Sequence, residues 1–360
     1  MASSAATAYT PLLALGPNGQ LLAADGDRVV YRGRDGTVRL RNAATGTEAV
    51  LANAGVLANT ANWQIDGGRV YVSGRGADCV LVCVFQWSAD GAMRNLSNAN
   101  PHSATDQVSG GRTLDEWPVA RGGYVIWSNI AAPGSSRFTL FDPAANTFTR
   151  IPQPPGTTTL ANWRYDFAIV GGVLRFFFYA QTGGEGTSAT FEIFAWRSDT
   201  QATERLTFDA QRSLYPQTDG VRVAWSRTPP GGTPDGFEAL VVRSITPGAG
   251  ASVVSTAMAP FVLRDGVLAW REVPSSALRL VKGYTASGAV TTISQSASSV
   301  LHGTAGGQVV YGELGKAWSW NSLTDARTLR IDSAPGTVLV TAGQMYFTMG
   351  EQQQLYRAAF

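Results

Sequence analysis

Eight tight turns, each opening a short alternating strand, constrain this chain more than any other feature. They are Asp25-Gly26, Asp66-Gly67, Arg121-Gly122-Gly123, Val170-Gly171-Gly172, Asp219-Gly220, Asp265-Gly266, Ala305-Gly306-Gly307 and Ala342-Gly343. A glycine recurs at each because a two-residue hairpin demands φ > 0, which only glycine adopts at little steric cost. Successive turns lie 37 to 55 residues apart. That spacing brackets the period of about 40 to 50 residues of propeller repeats, in which one unit is a four-stranded antiparallel meander. After each turn come two further alternating runs, as in Val221-Arg222-Val223-Ala224-Trp225 followed by the apolar runs near 237–243 and 251–255.

The pattern therefore predicts an all-β chain folded as one β-propeller domain over 1–360, with 1–9 as a tail. Eight blades are expected, seven if one unit is a decorated hairpin. The last unit, 338–360, supplies only three strands, and the chain opens with an orphan apolar strand, 11–15. Pairing the two closes the ring between the N-terminal strand and the C-terminal blade, so that neither leaves a long unpaired edge.

Composition limits function by class. Charged residues are 15% of the chain, the net charge is +2, and Lys282 and Lys316 are its only lysines. No basic stripe of the kind that binds nucleic acid is present. No apolar run approaches the roughly 20 residues of a membrane helix. A surface of Ser, Thr, Asn, Gln and Gly points to an exported bacterial protein, although the N-terminus lacks the basic and apolar regions of a signal peptide. A cytoplasmic location is the alternative, and a monomer is expected.

Cys79 and Cys83 are read on one strand, 79–87. Four residues at about 3.3 Å each would separate them by roughly 13 Å, beyond the reach of a disulfide, so free thiols are expected. Two cysteines and two histidines assemble no zinc spacing. Phosphate loops, dinucleotide fingerprints and nucleophile elbows are missing too, so neither metal nor cofactor is expected.

The turns with their Arg-Val and Trp/Tyr strands, the Tyr215-Pro216 and Ala259-Pro260 lead-ins among them, resemble the TolB-like repeats of bacterial propellers. The resemblance covers nearly all of the chain. It implies fold and not activity, because such repeats host many functions.

Long connections collect at 95–116, 129–136, 152–161, 180–189 and 227–236, all on the side of the blades opposite the tight turns. Loops on rigid scaffolds carry function, so this face over blades two to five is the expected site. Trp63 and Trp163 sit in matching Ala-Asn-Trp triplets. With Asp106, Arg112, Trp117, Asp166 and Phe261 they form the expected ligand-binding set, aromatic rings stacking on sugar faces or wedging blades. The quartet Trp163-Arg164-Tyr165-Asp166 carries the catalytic alternative. Arg164 would neutralise a uronate carboxylate while Tyr165, Tyr215 or His102 takes the adjacent proton, the work of a polysaccharide lyase. A glycosidase would need paired carboxylates, for which Asp106, Asp115, Glu116, Asp166 and Glu185 offer no diagnostic spacing. His302 enters an inner strand as a further candidate. The leading expectation is a propeller that binds a glycan or protein.

Overall fold

A computed structural model describes residues 9–79, 81–102, 114–132, 135–160, 164–209, 211–229, 239–256, 260–275, 277–284 and 288–360. Among them strands dominate, and the longest helix is the four-residue turn Leu96–Ala99. No helix among the described residues is long and apolar enough to cross a membrane.

The repeated turns form the hairpins their glycines require. Val170 pairs with Val173, and between them Gly171 and Gly172 hold φ values of 58° and 78°. Left-handed values at both central positions match the twist of the flanking strands. At the sixth turn Asp265 takes the first position at φ 45°, a conformation that Asp tolerates better than most residues.

The strands of the described residues assemble as six four-stranded sheets and one nine-stranded sheet. The chain divides into two compact units, 1–48 with 221–224 and 237–360, and 49–220 with 225–236.

In the first unit, the opening meander runs Gln20–Asp25, Arg28–Arg32 and Val38–Asn42, with its outer strand Glu48–Val50 crossing the division. The sixth is Phe261–Arg264, Val267–Ser275, Leu278–Tyr284 and Val290–Gln295. The seventh is Val300–Ala305, Gln308–Glu313, Lys316–Asn321 and Arg327–Ile331. The last contributes Val338–Thr341, Gln344–Met349 and Gln354–Ala359, and its fourth strand is the N-terminal Thr10–Ala14, antiparallel to Gln354–Ala359. The termini thus share one sheet, as the orphan strand predicts. Tyr346 donates its hydroxyl to the Gly26 carbonyl at 2.9 Å, and Asp27 accepts from Gln344 and Arg357, tying this sheet to the opening hairpin.

The second unit holds the second meander, Ala58–Asp66, Arg69–Arg75, Cys83–Trp87 and Met93–Asn95, and the third, Asp115–Arg121, Tyr124–Ala132, Ser135–Asp142 and Thr147–Ile151. It also holds the fourth, Asp166–Val170, Val173–Gly183, Thr190–Arg197 and Thr203–Arg205, and the fifth lead strand Arg212–Thr218. Its core is aromatic: Phe138, Tyr165, Phe167, Phe176, Phe178 and Trp196 pack with Ile126 and Leu140.

The turns also bond to one another. Asp66 accepts the N–H groups of Gly122 and Gly123 at 2.9 and 2.6 Å, and Asp265 accepts that of Gly306 at 2.9 Å. An aspartate beside one turn thus satisfies the amides of the next, a second reason for the turns to repeat more faithfully than the strands.

Three expectations are corrected. Cys79 and Cys83 form a disulfide with Cα atoms 6.0 Å apart. Cys79 is not on the strand: its N–H bonds the Gly76 carbonyl in a turn, and the strand starts at Cys83. Without the extended backbone assumed from the sequence, the 13 Å separation vanishes. The connection 129–136 is mostly strand, Tyr124–Ala132 pairing antiparallel with Ser135–Asp142, and 180–189 loses its first part to Val173–Gly183. Both hairpins run longer because their arms keep pairing past the expected ends.

Candidate functional site

The described site residues that come together belong to three consecutive lead segments of the second unit, Trp117 and Tyr215 on their strands and Arg164 two residues before the strand Asp166–Val170, and each centre is a backbone outlier. Trp117, Arg164 and Tyr215 hold φ of 59°, 59° and 60°. Asn62, beside Trp63, holds 55° on the preceding lead strand. Bulky residues rarely adopt the left-handed region, which costs on the order of 1 to 3 kcal/mol, so surrounding contacts must hold them there.

Proline and serine account for much of this. Pro118 follows Trp117 and has no N–H for the ladder, and pairing breaks between Glu116 and Val119. Pro216 follows Tyr215 in the same way. The carbonyl stranded before each bulge is taken up by a buried serine from the second strand. Ser128 donates to the Glu116 carbonyl at 3.1 Å, Ser226 to that of Leu214 at 3.0 Å, and Ser73 to that of Ala61 at 3.2 Å. These serines went unnoticed in the sequence, yet they occupy the same place in Val72-Ser73, Trp127-Ser128 and Trp225-Ser226, twelve residues after their acceptors.

Tyr165, the expected proton acceptor, is a buried donor in the structure. Its ring packs edge-on to Phe138 and Phe176, and its hydroxyl donates to the Trp117 carbonyl at 2.5 Å. Burial pushes its pKa well above the ordinary phenol value, so the proton stays on oxygen.

Asp166 is likewise consumed. Arg121 meets its Oδ1 at 3.0 Å, and the Thr218 N–H donates to its Oδ2 at 2.9 Å. Arg121 also donates to the carbonyls of Phe167 and Thr218. One ion pair therefore joins the third, fourth and fifth lead strands. Desolvation raises the Asp166 pKa despite the Arg121 charge and the N–H groups of Thr218 and Phe167 that donate to the carboxylate.

Around this clamp runs a ladder of rings and guanidinium groups. Arg164, exposed, stands 4.7 Å from the centroid of Tyr215. Tyr215 meets Tyr179 edge-on at 5.6 Å, Tyr179 meets Phe191 at 5.9 Å, and Arg212 stands 5.4 Å from the Phe191 centroid. Burial raises the Tyr179 pKa although both arginines oppose it. Beside the ladder, half-buried Trp117 donates its indole N–H to the Glu116 carboxylate at 3.2 Å. The Tyr165 bond to the Trp117 carbonyl thus links the segment bearing the exposed Arg164 guanidinium to the strand bearing the Trp117 ring and the Glu116 carboxylate.

Other expected residues lie elsewhere. Trp63 stacks on fully buried Trp87 at 5.9 Å and 23°, as a wedge within its own sheet. Phe261 belongs to the core with Leu240, Leu268 and Trp270. His102 follows the short helix, its backbone N–H on the Asn100 side chain. Asp115 is buried against Asn129, and Glu185 caps a single helical turn. Asp106, Arg112 and Trp163 fall outside the described residues.

No protein-family model matches the sequence, and no curated protein matches it. Its fold is similar to that of several solved structures. Porphyromonas gingivalis dipeptidyl peptidase 4 aligns with a TM-score of 0.61 at 10% identity, over 94% of this chain and 57% of that one. A prolyl endopeptidase aligns at 0.55 and 13% identity, over 96% and 54%. The β-propeller domain of the Trilobed protease from Pyrococcus furiosus aligns at 0.51 and 11% identity, over 89% and 99%. The chain spans about half the length of the two peptidases. Identities this low speak for the fold alone, and that fold is the propeller expected from the turns.

Proposed function

We propose that the chain is a binding propeller, one ring of eight blades, that recognises a glycan through the lead strands of its second unit. The observation that carries this reading is the set of left-handed residues Trp117 and Tyr215, on the third and fifth lead strands, and Arg164, just before the fourth. Strain held by proline, serine and a buried ion pair re-aims side chains at a site, which is where bulged strands tend to occur. Trp117 offers a ring for a sugar face, and Glu116 and Arg164 offer hydrogen bonds to hydroxyl or carboxylate groups. The disulfide supports an exported, oxidising location. A monomer fits a chain whose terminal strands pair with each other.

Polysaccharide lyase activity is the second reading, carried by Arg164 over Tyr215. It needs a proton acceptor, and the phenol of Tyr165 is engaged as a donor, which is why binding is preferred. The peptidase propellers offer a third context, a module placed beside a hydrolase, favoured by the share of those chains that this one spans.

The deciding experiment incubates the purified chain with neutral and uronate-bearing polysaccharides. Depletion of protein onto the polymer and absorbance of unsaturated uronate are followed together. Binding without cleavage, weakened at least about tenfold by Arg164→Ala at an unchanged melting temperature, supports the reading. New unsaturated product would replace it with the lyase, and no retention on any polymer would turn the search to a protein ligand.

A further inference from the structure

A second candidate site is built wholly from residues of the first unit. A cleft of about 840 Å³ opens between the N-terminal segment and the opening meander. One wall is apolar, its accessible part supplied by Leu13 and Ala14 over the buried Leu15 and Tyr31, and the other carries Arg34, Arg39 and Arg41.

Its charges do not cancel. Asp35 takes two hydrogen bonds from Arg39, at 3.1 and 2.7 Å. Glu48 accepts from Arg41 and from the Tyr31 hydroxyl, both at 2.7 Å. Two carboxylates thus answer two of the three guanidinium groups, and the cleft retains one positive charge, at Arg34. That side chain is exposed and makes no ion pair among the described residues, while its stem packs on Gly16, where an added Cβ would come within 2.7 Å of the Arg34 Cβ. The Arg41 Nε is buried and has no hydrogen-bond partner.

The backbone beside the cleft is also unfilled. Among the described residues Thr10–Ala14 is the terminal strand of its sheet, bonded to Gln354–Ala359 on one side. An open strand edge next to a pocket is the arrangement by which a domain accepts an extended peptide as an added strand, main chain supplying affinity and pocket supplying specificity.

We propose that this cleft binds the free C-terminus of a partner polypeptide, its α-carboxylate on Arg34 and its apolar last side chain against Leu13 and Ala14. The excess of one positive charge matches one carboxylate. The apolar wall matches one aliphatic side chain, and the open edge accepts the preceding main chain.

The test titrates the full chain calorimetrically with N-acetyl-Ala-Val-Leu as the free acid and as the C-terminal amide, and with hexanoate and glucuronate as simple carboxylates. The acid is expected to bind at least about tenfold more tightly than the amide or either simple anion. Arg34→Ala and Arg34→Gln should each remove that advantage while the melting temperature holds, the position being exposed. Arg164→Ala should leave it unchanged, which separates this site from the glycan site. Equal binding of acid and amide, hexanoate or glucuronate matching the peptide, no heat with any ligand up to millimolar concentration, or an undiminished preference in both Arg34 variants would each overturn the proposal.

Discussion

The guanidinium of Arg121 lies 3.0 Å from the carboxylate of Asp166, forty-five residues on, and the Thr218 amide closes the other carboxylate oxygen. Arg121 stands where four of the eight turns carry aspartate, and this exchange of sign is what lets it answer Asp166.

Removing Arg121 strands a buried carboxylate. Arg121→Ala is expected to cost about 3 kcal/mol near pH 7, the lower end for breaking such a pair. The Asp166 pKa is already raised by burial, and losing the arginine raises it further. A raised folded pKa means that the folded state binds the proton more tightly, so stability falls as pH rises from the ordinary carboxylate value through the folded one. The variant should therefore regain stability on acidification relative to the parent chain, in denaturant melts at pH 7 and pH 5. A parallel pH dependence in the two proteins would contradict this role.

Ser73, Ser128 and Ser226 each satisfy the carbonyl before a left-handed residue. Each serine-to-alanine change should cost about 1 kcal/mol, and the three should be nearly additive because they sit in different sheets. Tyr165→Phe should cost a similar amount by freeing the Trp117 carbonyl. Urea midpoints of the single and triple variants check this. A Tyr165→Phe protein as stable as its parent would remove the phenol from the set of structural donors.

The Cys79–Cys83 disulfide closes a very short loop, for which chain entropy gives about 2 kcal/mol. Purified under air, the denatured chain should show no reactive thiol. Added reductant, or Cys83→Ala, should lower the melting temperature. Two titratable thiols in the unreduced protein would refute the bond.

His302 lies at a break in register between Leu301 and Gly303 and packs on Gly312, where an added Cβ would be 3.0 Å from its Nε2. Burial lowers its pKa below the ordinary value of about 6.5. A lowered folded pKa means that the unfolded chain binds the proton more readily, so stability is full above that ordinary value and is lost as pH falls through the folded one. His302→Gln should flatten this acid limb between pH 6.5 and 5. An unchanged slope would show that His302 does not titrate on unfolding.

Local sequence determined the hairpins, the four-strand rhythm and the pairing of the two termini. A two-residue turn selects glycine whatever surrounds it, and alternation of apolar residues needs only its own strand, as at Val29, Tyr31 and their counterparts. What only the tertiary structure decided depends on residues far apart in the chain. Whether Asp166 faces a ligand or Arg121, whether Tyr165 is a base or a buried donor, and whether Trp63 meets a sugar or Trp87 are settled by which side chains arrive from neighbouring strands. Cys79 and Cys83 show the same limit at short range, because a turn bonded to Gly76, and not propensity along 79–83, sets the distance between them. The serines stand in between. Their spacing is regular in the sequence, but a hydroxyl twelve residues from a carbonyl acquires meaning only once the strand bulges and leaves that carbonyl without its ladder partner.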